Sequence, residues 1–463
     1  MSTHEQRDPA PINILPDEIL LRIFSILVTW DATYYGHWDS KRRLLEHDRH
    51  ICKSRGIHAT IISRVNTSWR HLVINTSSFW SHIDLYFEHG CWLPLGTLSR
   101  QCLRRVKDAP IELHISCGQI HRFYTAAVTI PNYLRDQKIT SLILTTLYPA
   151  VIQPMVGAYL NEGTRSDLTQ LKVELVSSGH DQSAVCVPAA AQTNQEQLTE
   201  NLLQLDTLRL SGVTMNWTGA RFSGLVDLQL HNVRPSPSMD QIYDMLAASP
   251  GLHSIELKRL HLKSSSFTGS RPTLRINLPR LSFLSLGGGD CNFVNCFLEV
   301  IEPGMGQLCL KLSIPKASSK DLESLRVRHN IPTLSLSIPD LPIVLLGQML
   351  SSQKDLTTLA LANQYIDDFY VSPNIIGAQH TGLRRVILRK CRISFTGLRR
   401  IASIHSLHSL WLEHCMYAPH VTHPYTLKLP EDELSWLEET IPSLYVDCGH
   451  CGWVCSSLPW WLR

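Results

Sequence analysis

The chain has 463 residues, too many for one compact core, so we expect two or three structural units. Its 43 basic and 40 acidic residues leave a net charge of only +3, which excludes the strongly basic surface of a typical nucleic-acid-binding protein. The 13 cysteines are odd in number and follow no regular framework, which favours a reducing compartment and a cytoplasmic or nuclear location.

The first element predicted along the chain is a helix that begins at Pro16, after a flexible N-terminus at residues 1–11. Proline fits the first turn of a helix, and the acidic side chains of Asp17 and Glu18 favour its positive end. Apolar residues then recur at helical spacing, at Ile19, Leu20, Ile23, Phe24 and Leu27. The apolar run is interrupted by Arg22 and is too short to span a bilayer, so no membrane segment is expected.

A second helical segment follows a charged insert at residues 31–56. Its apolar residues are Ile57, Ile61, Val65, Trp69 and Leu72, and the pattern ends at Phe79 and Trp80. The sequence therefore predicts a small helical domain over residues 12–85, followed by a linker and cap segment at residues 86–130.

The central part of the chain repeats the phrase Leu-x-x-Leu-x-Leu, in which Ile or Val sometimes replaces Leu. The clear copies are Leu205/Leu208/Leu210, Leu225/Leu228/Leu230, Leu252/Ile255/Leu257, Leu281/Leu284/Leu286, Leu356/Leu359/Leu361, Leu383/Val386/Leu388 and Leu407/Leu410/Leu412, and weaker ones are Ile139/Leu142/Leu144 and Leu168/Leu171/Val173. Most neighbouring copies begin about 20–29 residues apart, the period of a leucine-rich repeat. One such strand cannot bury its apolar side alone, so we expect the copies to stack into a solenoid over residues 131–447.

Helical patterns separate several of these copies. Ser238 is a helix cap before the apolar face that begins at Met239, and Pro250 ends that pattern. A second such face begins at Phe395. Alternating strands and helices predict an α/β fold. Asn330, Cys391 and Cys415 occupy the offset at which a leucine-rich repeat hydrogen-bonds its turn, but other copies lack such a residue, so the solenoid should be irregular.

The helical domain resembles an F-box. The matching residues are Ile14-Leu15-Pro16-Asp17-Glu18-Ile19-Leu20, Ile23-Phe24, Leu27, Val65-Asn66, Trp69-Arg70 and Phe79-Trp80. Together with Leu98-Ser99-Arg100 and Pro110-Ile111-Glu112-Leu113, they make the chain similar to fungal F-box proteins that carry irregular leucine-rich repeats. The insert is longer than in a minimal F-box, which leaves the register of the second helix open.

This resemblance implies the substrate-recognition subunit of an SCF-type ubiquitin ligase, which has no enzymatic activity or cofactor of its own. The F-box would bind a Skp-family adaptor and, through it, a cullin, while the repeats would bind a protein target. The residues expected at the adaptor are Leu15, Pro16, Ile19, Leu20, Ile23, Phe24, Leu27, Val65, Trp69 and Trp80. Those expected at the target are Arg209, Gln229, Glu256, Arg389 and Trp411, taken as residues that stand between the inward leucines on the concave sheet; alternatively, Trp411 covers the end of the solenoid.

Two other interpretations stay open. The helical domain could simply cap a leucine-rich-repeat scaffold that has no role in ubiquitin transfer. The Cys/Trp-rich tail at residues 448–463 could instead carry a thiol oxidoreductase centre at Cys448 and Cys451. With Cys455 these residues also resemble one zinc knuckle, but a structural zinc site usually pairs two, so no metal is expected.

Overall fold

The protein is described from a computed structural model. The residues described are 11–34, 55–87, 97–117, 130, 134, 137–161, 167–176, 186–187, 200–218, 220–260, 275–288, 291–304, 308–314, 331–339, 341, 346, 349–350, 353–366, 382–403, 407–418, 426 and 428–447. They divide into two units: unit 1 holds the described residues up to 205 together with 212–220, and unit 2 holds 206–211 together with the described residues from 221 onwards.

Unit 1 begins with three helices, α1 (Asp17–Tyr34), α2 (Arg55–Ile62) and α3 (Thr67–Asn75), flanked by 3-10 helices at Pro11–Ile14 and Ser77–Trp80. One side of α1 is buried because Leu20, Phe24 and Val28 recur every four residues and pack towards α2. The N-terminus of α3 is capped by Asn66, whose side chain accepts a hydrogen bond from the backbone N–H of Trp69.

The described part of unit 1 continues as a parallel sheet of four strands, with a helix after the first strand and another after the third. Its elements in chain order are β1 (His82–Phe87), α4 (Thr97–Val106), β2 (Ile111–Cys117), β3 (Ile139–Thr146), α5 (Pro149–Asn161) and β4 (Gln170–Leu175). The strands are ordered β1-β2-β3-β4. Alternate residues of β2 are buried, so the sheet has an apolar face and a polar one. A short parallel pair joins β5 (Cys186–Val187) to β7 (Thr214–Met215).

Unit 2 contains ten parallel strands that pair in the order in which they are listed here. They are β6 (Thr207–Ser211), β8 (Asp227–His231), β9 (Ser254–Lys258), β11 (Phe283–Gly287), β13 (Cys309–Ser313), β14 (Thr333–Ser337), β15 (Thr358–Ala362), β17 (Arg385–Arg389), β19 (Ser409–Glu413) and β21 (Ser443–Asp447). Every clear copy of the Leu-x-x-Leu-x-Leu phrase places its last two apolar residues on one of these strands, as expected. The predicted α/β class is therefore confirmed, with many parallel strands.

In the described part of unit 2, four helices and two small sheets accompany these strands. The helices are α6 (Met239–Ala247), α7 (Cys291–Val300), α8 (Phe395–Ala402) and α9 (Glu431–Thr440). The small parallel sheets pair β10 (Ile276–Leu278) with β12 (Ile301–Pro303), and order β16 (Tyr365–Ile366), β18 (Arg392–Ser394) and β20 (Met416–Ala418). The predicted cap at Ser238 is confirmed: it forms a capping box with Gln241 at the start of α6.

A left-handed residue follows seven of the strands of unit 2 at the same offset, two residues after the last buried leucine, and six of these residues also make the same backbone hydrogen bond. These six residues are Asn232, Arg259, Gly288, Asn363, Lys390 and His414, with φ between +49° and +75°. In each case the backbone N–H donates to the carbonyl of the residue that ends the next strand, at 2.7–2.9 Å. The turns thus connect each strand to its successor and hold the register.

A ladder of side chains supports the same turns near the C-terminal end of unit 2. Gln364 donates to the carbonyl of Ile338, Cys391 to that of Leu361 at 3.4 Å, and Cys415 to that of Leu388 at 3.3 Å. The expected role of the two cysteines is confirmed, whereas Asn330 lies outside the described residues. Gln364 makes the equivalent hydrogen bond at its turn, although the predicted pattern contained only Asn or Cys at this offset.

Candidate functional site

The described residues expose an unusual number of large aliphatic side chains near the N-terminus. Ten such side chains are exposed, and only Leu203 and Val226 lie beyond residue 65. We call the other eight the N-terminal apolar surface: Ile12, Ile14, Leu15, Ile19, Ile26, Leu27, Ile61 and Val65. Single exposed aliphatic residues are common in proteins, but a concentration of them is a candidate interaction surface.

Helix α1 is apolar on two sides, which explains both its packing and its exposure. With about 100° between successive residues, Leu20, Phe24 and Val28 form one sector, and Ile19, Ile26 and Leu27 form the neighbouring one. The first sector is buried in unit 1, whereas the second is exposed, with Ile23 half-buried. The sequence prediction treated these residues as one stripe, and the structure separates them into two.

Aromatic side chains support the N-terminal apolar surface from below. The rings of Phe24 and Trp69 lie 4.7 Å apart. Trp80 is fully buried, donates from Nε1 to the carbonyl of Val73 at 2.9 Å, and lies 4.2 Å beneath the guanidinium of Arg105. Phe24 and Trp69 thus link α1 to α3, and Trp80 links α3 to α4.

The residues predicted at the adaptor therefore separate by depth. Leu15, Pro16, Ile19, Leu27 and Val65 are exposed, and Ile23 and Trp69 are half-buried. Leu20, Phe24 and Trp80 instead lie in the interior, because their side chains fill the space between the helices. A partner that covers this surface would contact the exposed residues. The buried residues would instead hold the exposed ones in position.

The second candidate surface lies on the strands of unit 2. We call it the inter-leucine face, because each of its residues stands between the last two apolar residues of a strand. In strand order it consists of Arg209, Gln229, Glu256, Ser285, Lys311, Ser335, Ala360, Ile387, Trp411 and Tyr445, and each residue pairs directly with the next. The predicted target-binding residues Arg209, Gln229 and Glu256 are thus brought side by side.

Ion pairs satisfy most of the charge at the N-terminal end of the inter-leucine face. Arg209 contacts the carboxylate of Asp227 at 2.5 Å. Glu256 is paired with Lys258 and lies 3.4 Å from Nε2 of His231. Burial would raise the pKa of Glu256, but the hydrogen bonds and positive charges of His231 and Lys258 outweigh it and hold this pKa well below its usual range. These two predicted target-binding residues are already engaged by neighbours in the same unit.

Lys311, at the middle of the inter-leucine face, has no ion-pair partner among the described residues. Burial, together with the nearby positive charge of Lys258, lowers the pKa of Lys311 to about 8. The adjacent Ser285 is fully buried, and its hydroxyl makes no hydrogen bond with any described residue. On the inter-leucine face, Lys311 therefore lacks an ion pair and Ser285 lacks a hydrogen bond with the other described residues.

The C-terminal end of the inter-leucine face is apolar. Ala360, Ile387 and Trp411 form a buried cluster against which Tyr445 packs, with the rings of Trp411 and Tyr445 5.2 Å apart. Trp411 is only 9% exposed, and its Nε1 donates to the hydroxyl of Ser409 at 2.8 Å. Since β21 lies beyond β19, Trp411 does not cover the last described strand.

Arg389 was predicted to lie between the last two apolar residues of its strand, but it stands two positions beyond that place, which Ile387 occupies. It pairs with Glu413, and the distance from Nη2 to Oε1 is 2.8 Å. The residue beside Trp411 is Ile387. Sequence reasoning therefore missed Ile387, as well as Lys311 and Tyr445, as members of the inter-leucine face.

The Cys/Trp-rich tail, with Cys448, Cys451 and Cys455, lies outside the described residues, as does most of the charged insert. Within the described part of the chain, no helix combines the length and the hydropathy needed to cross a membrane. Neither the protein-family models nor the curated proteins that were compared with this chain give a match.

Proposed function

We propose that the protein is the substrate-recognition subunit of an SCF-type ubiquitin ligase, with an F-box in the N-terminal helices and a leucine-rich-repeat array that holds the target. The observation that carries the proposal is the N-terminal apolar surface, which includes three residues of the F-box-like motif: Leu15, which precedes α1, and Ile19 and Leu27 in the exposed sector of α1. A partner would remove these side chains from water, and each fully buried aliphatic side chain is worth about 1.5–3 kcal/mol.

The proposed chemistry is proximity. One surface holds the Skp-family adaptor and thereby the cullin, while the inter-leucine face holds the target. The effective concentration of target lysines near the charged ubiquitin carrier then rises without any bond chemistry in this chain. In support, parallel strands with inward leucines leave one row of variable side chains in register, as a recognition surface requires.

Unit 2 suggests what the target would offer. Lys311, which has no ion-pair partner among the described residues, favours an acidic group, and the partly buried Tyr445 beside Trp411 favours an apolar anchor further along the face. The ion pairs of Arg209 and Glu256 contribute less, because a target would have to replace contacts that already exist.

The decisive experiment measures binding of a Skp-family adaptor to the full chain and to two double variants. Ile19→Asp with Leu27→Asp places two charges on the N-terminal apolar surface. Leu203→Asp with Val226→Asp is the matched control, because its two residues are exposed to a similar degree, with 44% for Ile19 against 41% for Val226. We expect at least a hundredfold loss of affinity in the first variant, about 2.7 kcal/mol or more, and none in the control.

Undiminished binding by a folded Ile19→Asp/Leu27→Asp variant, or no binding by the unaltered chain, would contradict the proposal. The second result would favour the alternative of a repeat scaffold whose helices only cap the strands. Far-UV circular dichroism and urea unfolding establish that the variants fold. A disulfide-reductase assay with Cys448→Ser and Cys451→Ser tests the oxidoreductase alternative separately.

A further inference from the structure

Two histidines and two carboxylates meet on the polar face of the sheet in unit 1. His82 and Asp84 stand two residues apart on β1, and Glu112 and His114 do so on β2. The register pairs His82 with Glu112 and Asp84 with His114, so the four side chains occupy one compact square. Their neighbours Ile83, Leu113 and Ile115 fill the core beneath the strands.

The distances within this square are short. Oδ1 of Asp84 lies 3.1 Å from Nε2 of His82 and 3.1 Å from Nδ1 of His114. The three candidate ligand atoms all lie within 4.8 Å of one another, and no other such group of three occurs among the described residues. In a tetrahedral zinc site with bonds of about 2.0–2.2 Å, ligand atoms are separated by about 3.3 Å. Small side-chain rotations would therefore suffice to enclose a cation.

Glu112 supplies a further element of a metal centre. Its Oε2 lies 3.1 Å from Nδ1 of His82, the ring nitrogen opposite the one that faces Asp84. A proton on Nδ1 that is donated to Glu112 leaves Nε2 with its lone pair directed at the cation position. Metal-binding histidines usually donate their second N–H to a carboxylate in this way, which fixes the tautomer and makes the ligand more basic.

From these contacts we propose that His82, Asp84 and His114 form a binding site for a divalent transition-metal cation, with Zn²⁺ as the probe, and that Glu112 orients His82. Two imidazole nitrogens and one carboxylate oxygen are a donor set that suits zinc, and three protein ligands leave the fourth position to water. Their side chains are 13–21% exposed, so a cation can enter while the adjacent strands hold the ligands in position.

Charge explains why the described residues of unit 2 contain no equivalent group. On β8 and β9, His231 and Glu256 also lie close together, but the ammonium of Lys258 contacts the same carboxylate. The positive charge of that ammonium would repel a metal cation at this carboxylate. In the square of unit 1, Asp84 has no lysine or arginine partner among the described residues, and its positive neighbours are the two histidines, which carry charge only when protonated.

Calorimetric titration with Zn²⁺ tests the proposal in the full chain after chelator treatment. Cys448→Ser, Cys451→Ser and Cys455→Ser form the background, so that the thiols of the tail cannot contribute. We expect one Zn²⁺ per chain, with an affinity that falls at least a hundredfold in His114→Ala and in Asp84→Asn. Glu112→Gln should lower the affinity about 10- to 100-fold, since it only weakens the orientation of His82. His231→Ala is the matched control and should bind as tightly as the background.

Cobalt spectra provide a second readout that does not depend on affinity. Bound Co²⁺ should give the visible bands of a four- or five-coordinate nitrogen and oxygen site, and these bands should disappear in His82→Ala. No saturable binding, or binding that is unchanged in His114→Ala and Asp84→Asn, would overturn the proposal. Circular dichroism excludes unfolding as the cause of any loss, and Asp84→Asn, which preserves the size of the side chain, guards against a purely structural effect.

Discussion

The N-terminal apolar surface and the inter-leucine face differ in how many of their side chains are already buried or paired within the protein. Helix α1 leaves Ile19 and Leu27 exposed although its other side is fully packed. On the strands of unit 2, by contrast, Arg209, Glu256 and Arg389 all have charged partners, and Trp411 is buried against Tyr445. The described helices therefore leave several large apolar side chains in water, whereas most charged and aromatic side chains on the described strands already have partners within unit 2.

The largest change in stability should come from a substitution on the buried side of α1, compared with one on its exposed side. Phe24→Ala removes a fully buried ring that contacts Trp69, and we expect it to lower the free energy of unfolding by about 3–5 kcal/mol. Ile19→Ala changes an exposed side chain and should cost less than about 1 kcal/mol. Urea unfolding measures both. Similar losses for the two variants would mean that α1 does not have separate buried and exposed sectors.

The next effect concerns the turns that hold the inter-leucine face in register. A Cβ at Gly288, where φ is +75°, would lie 2.8 Å from the backbone nitrogen of Arg259. Gly288→Ala should therefore destabilise the protein by about 2–3 kcal/mol through strain and overlap. The control is Gly251→Ala, because a Cβ there meets nothing within 4 Å, and its effect should stay within about 0.5 kcal/mol. Equal thermal unfolding of both variants would contradict the role of this turn.

The smallest effect should be a gain in stability when Lys311 of the inter-leucine face is replaced. The pKa of Lys311 falls from 10.5 to about 8 on folding, so its ammonium opposes folding at neutral pH. Lys311→Met should raise the free energy of unfolding at pH 7 by about 1–2 kcal/mol, after allowance for partial exposure. Lys428→Met, at an exposed lysine, is the control and should change little.

The sign of this effect gives Lys311→Met a pH dependence. Between pH 8 and 10.5 the unfolded chain binds more protons at this residue than the folded chain does, so the unaltered protein gains stability as the pH rises. The advantage of the variant should therefore be complete below pH 8 and vanish near pH 10.5. An advantage that persists at pH 10.5 would show that better packing, rather than charge, is its origin.

The fold follows from the sequence wherever a local signal fixes the geometry. The spacing of Leu228 and Leu230 specifies a strand, and the side chain of Ser238 specifies a helix start, and both are found as predicted. Ile331/Leu334/Leu336 and Ile441/Leu444/Val446 carry the same phrase, and counting them would have located β14 and β21. At β13 the first apolar residue, Leu308, is only two residues before Leu310, whereas the repeat phrase requires three. The sequence therefore does not match the phrase there, and Lys311 was missed.

The candidate sites depend on register and depth, which no local pattern contains. Helical spacing groups Ile19 with Phe24, and only the position of α2 decides which of them is buried. His82 and His114 lie 32 residues apart in the chain, and they meet because β1 and β2 pair as neighbours in one particular register. The alternation of polar residues along each strand could have shown that these side chains lie on one face of the sheet. It could not have shown that the two strands are neighbours or in which register they pair.

The left-handed turns of unit 2 also provide built-in reporters of how the array opens. The amides of Asn232, Arg259, Gly288, Asn363, Lys390 and His414 each donate to the carbonyl at the end of the following strand. Each of these protons becomes free to exchange with solvent only when that following strand detaches. Hydrogen–deuterium exchange at these six amides would therefore distinguish fraying from one end from cooperative loss of the whole array, and would identify the strand at which unfolding begins.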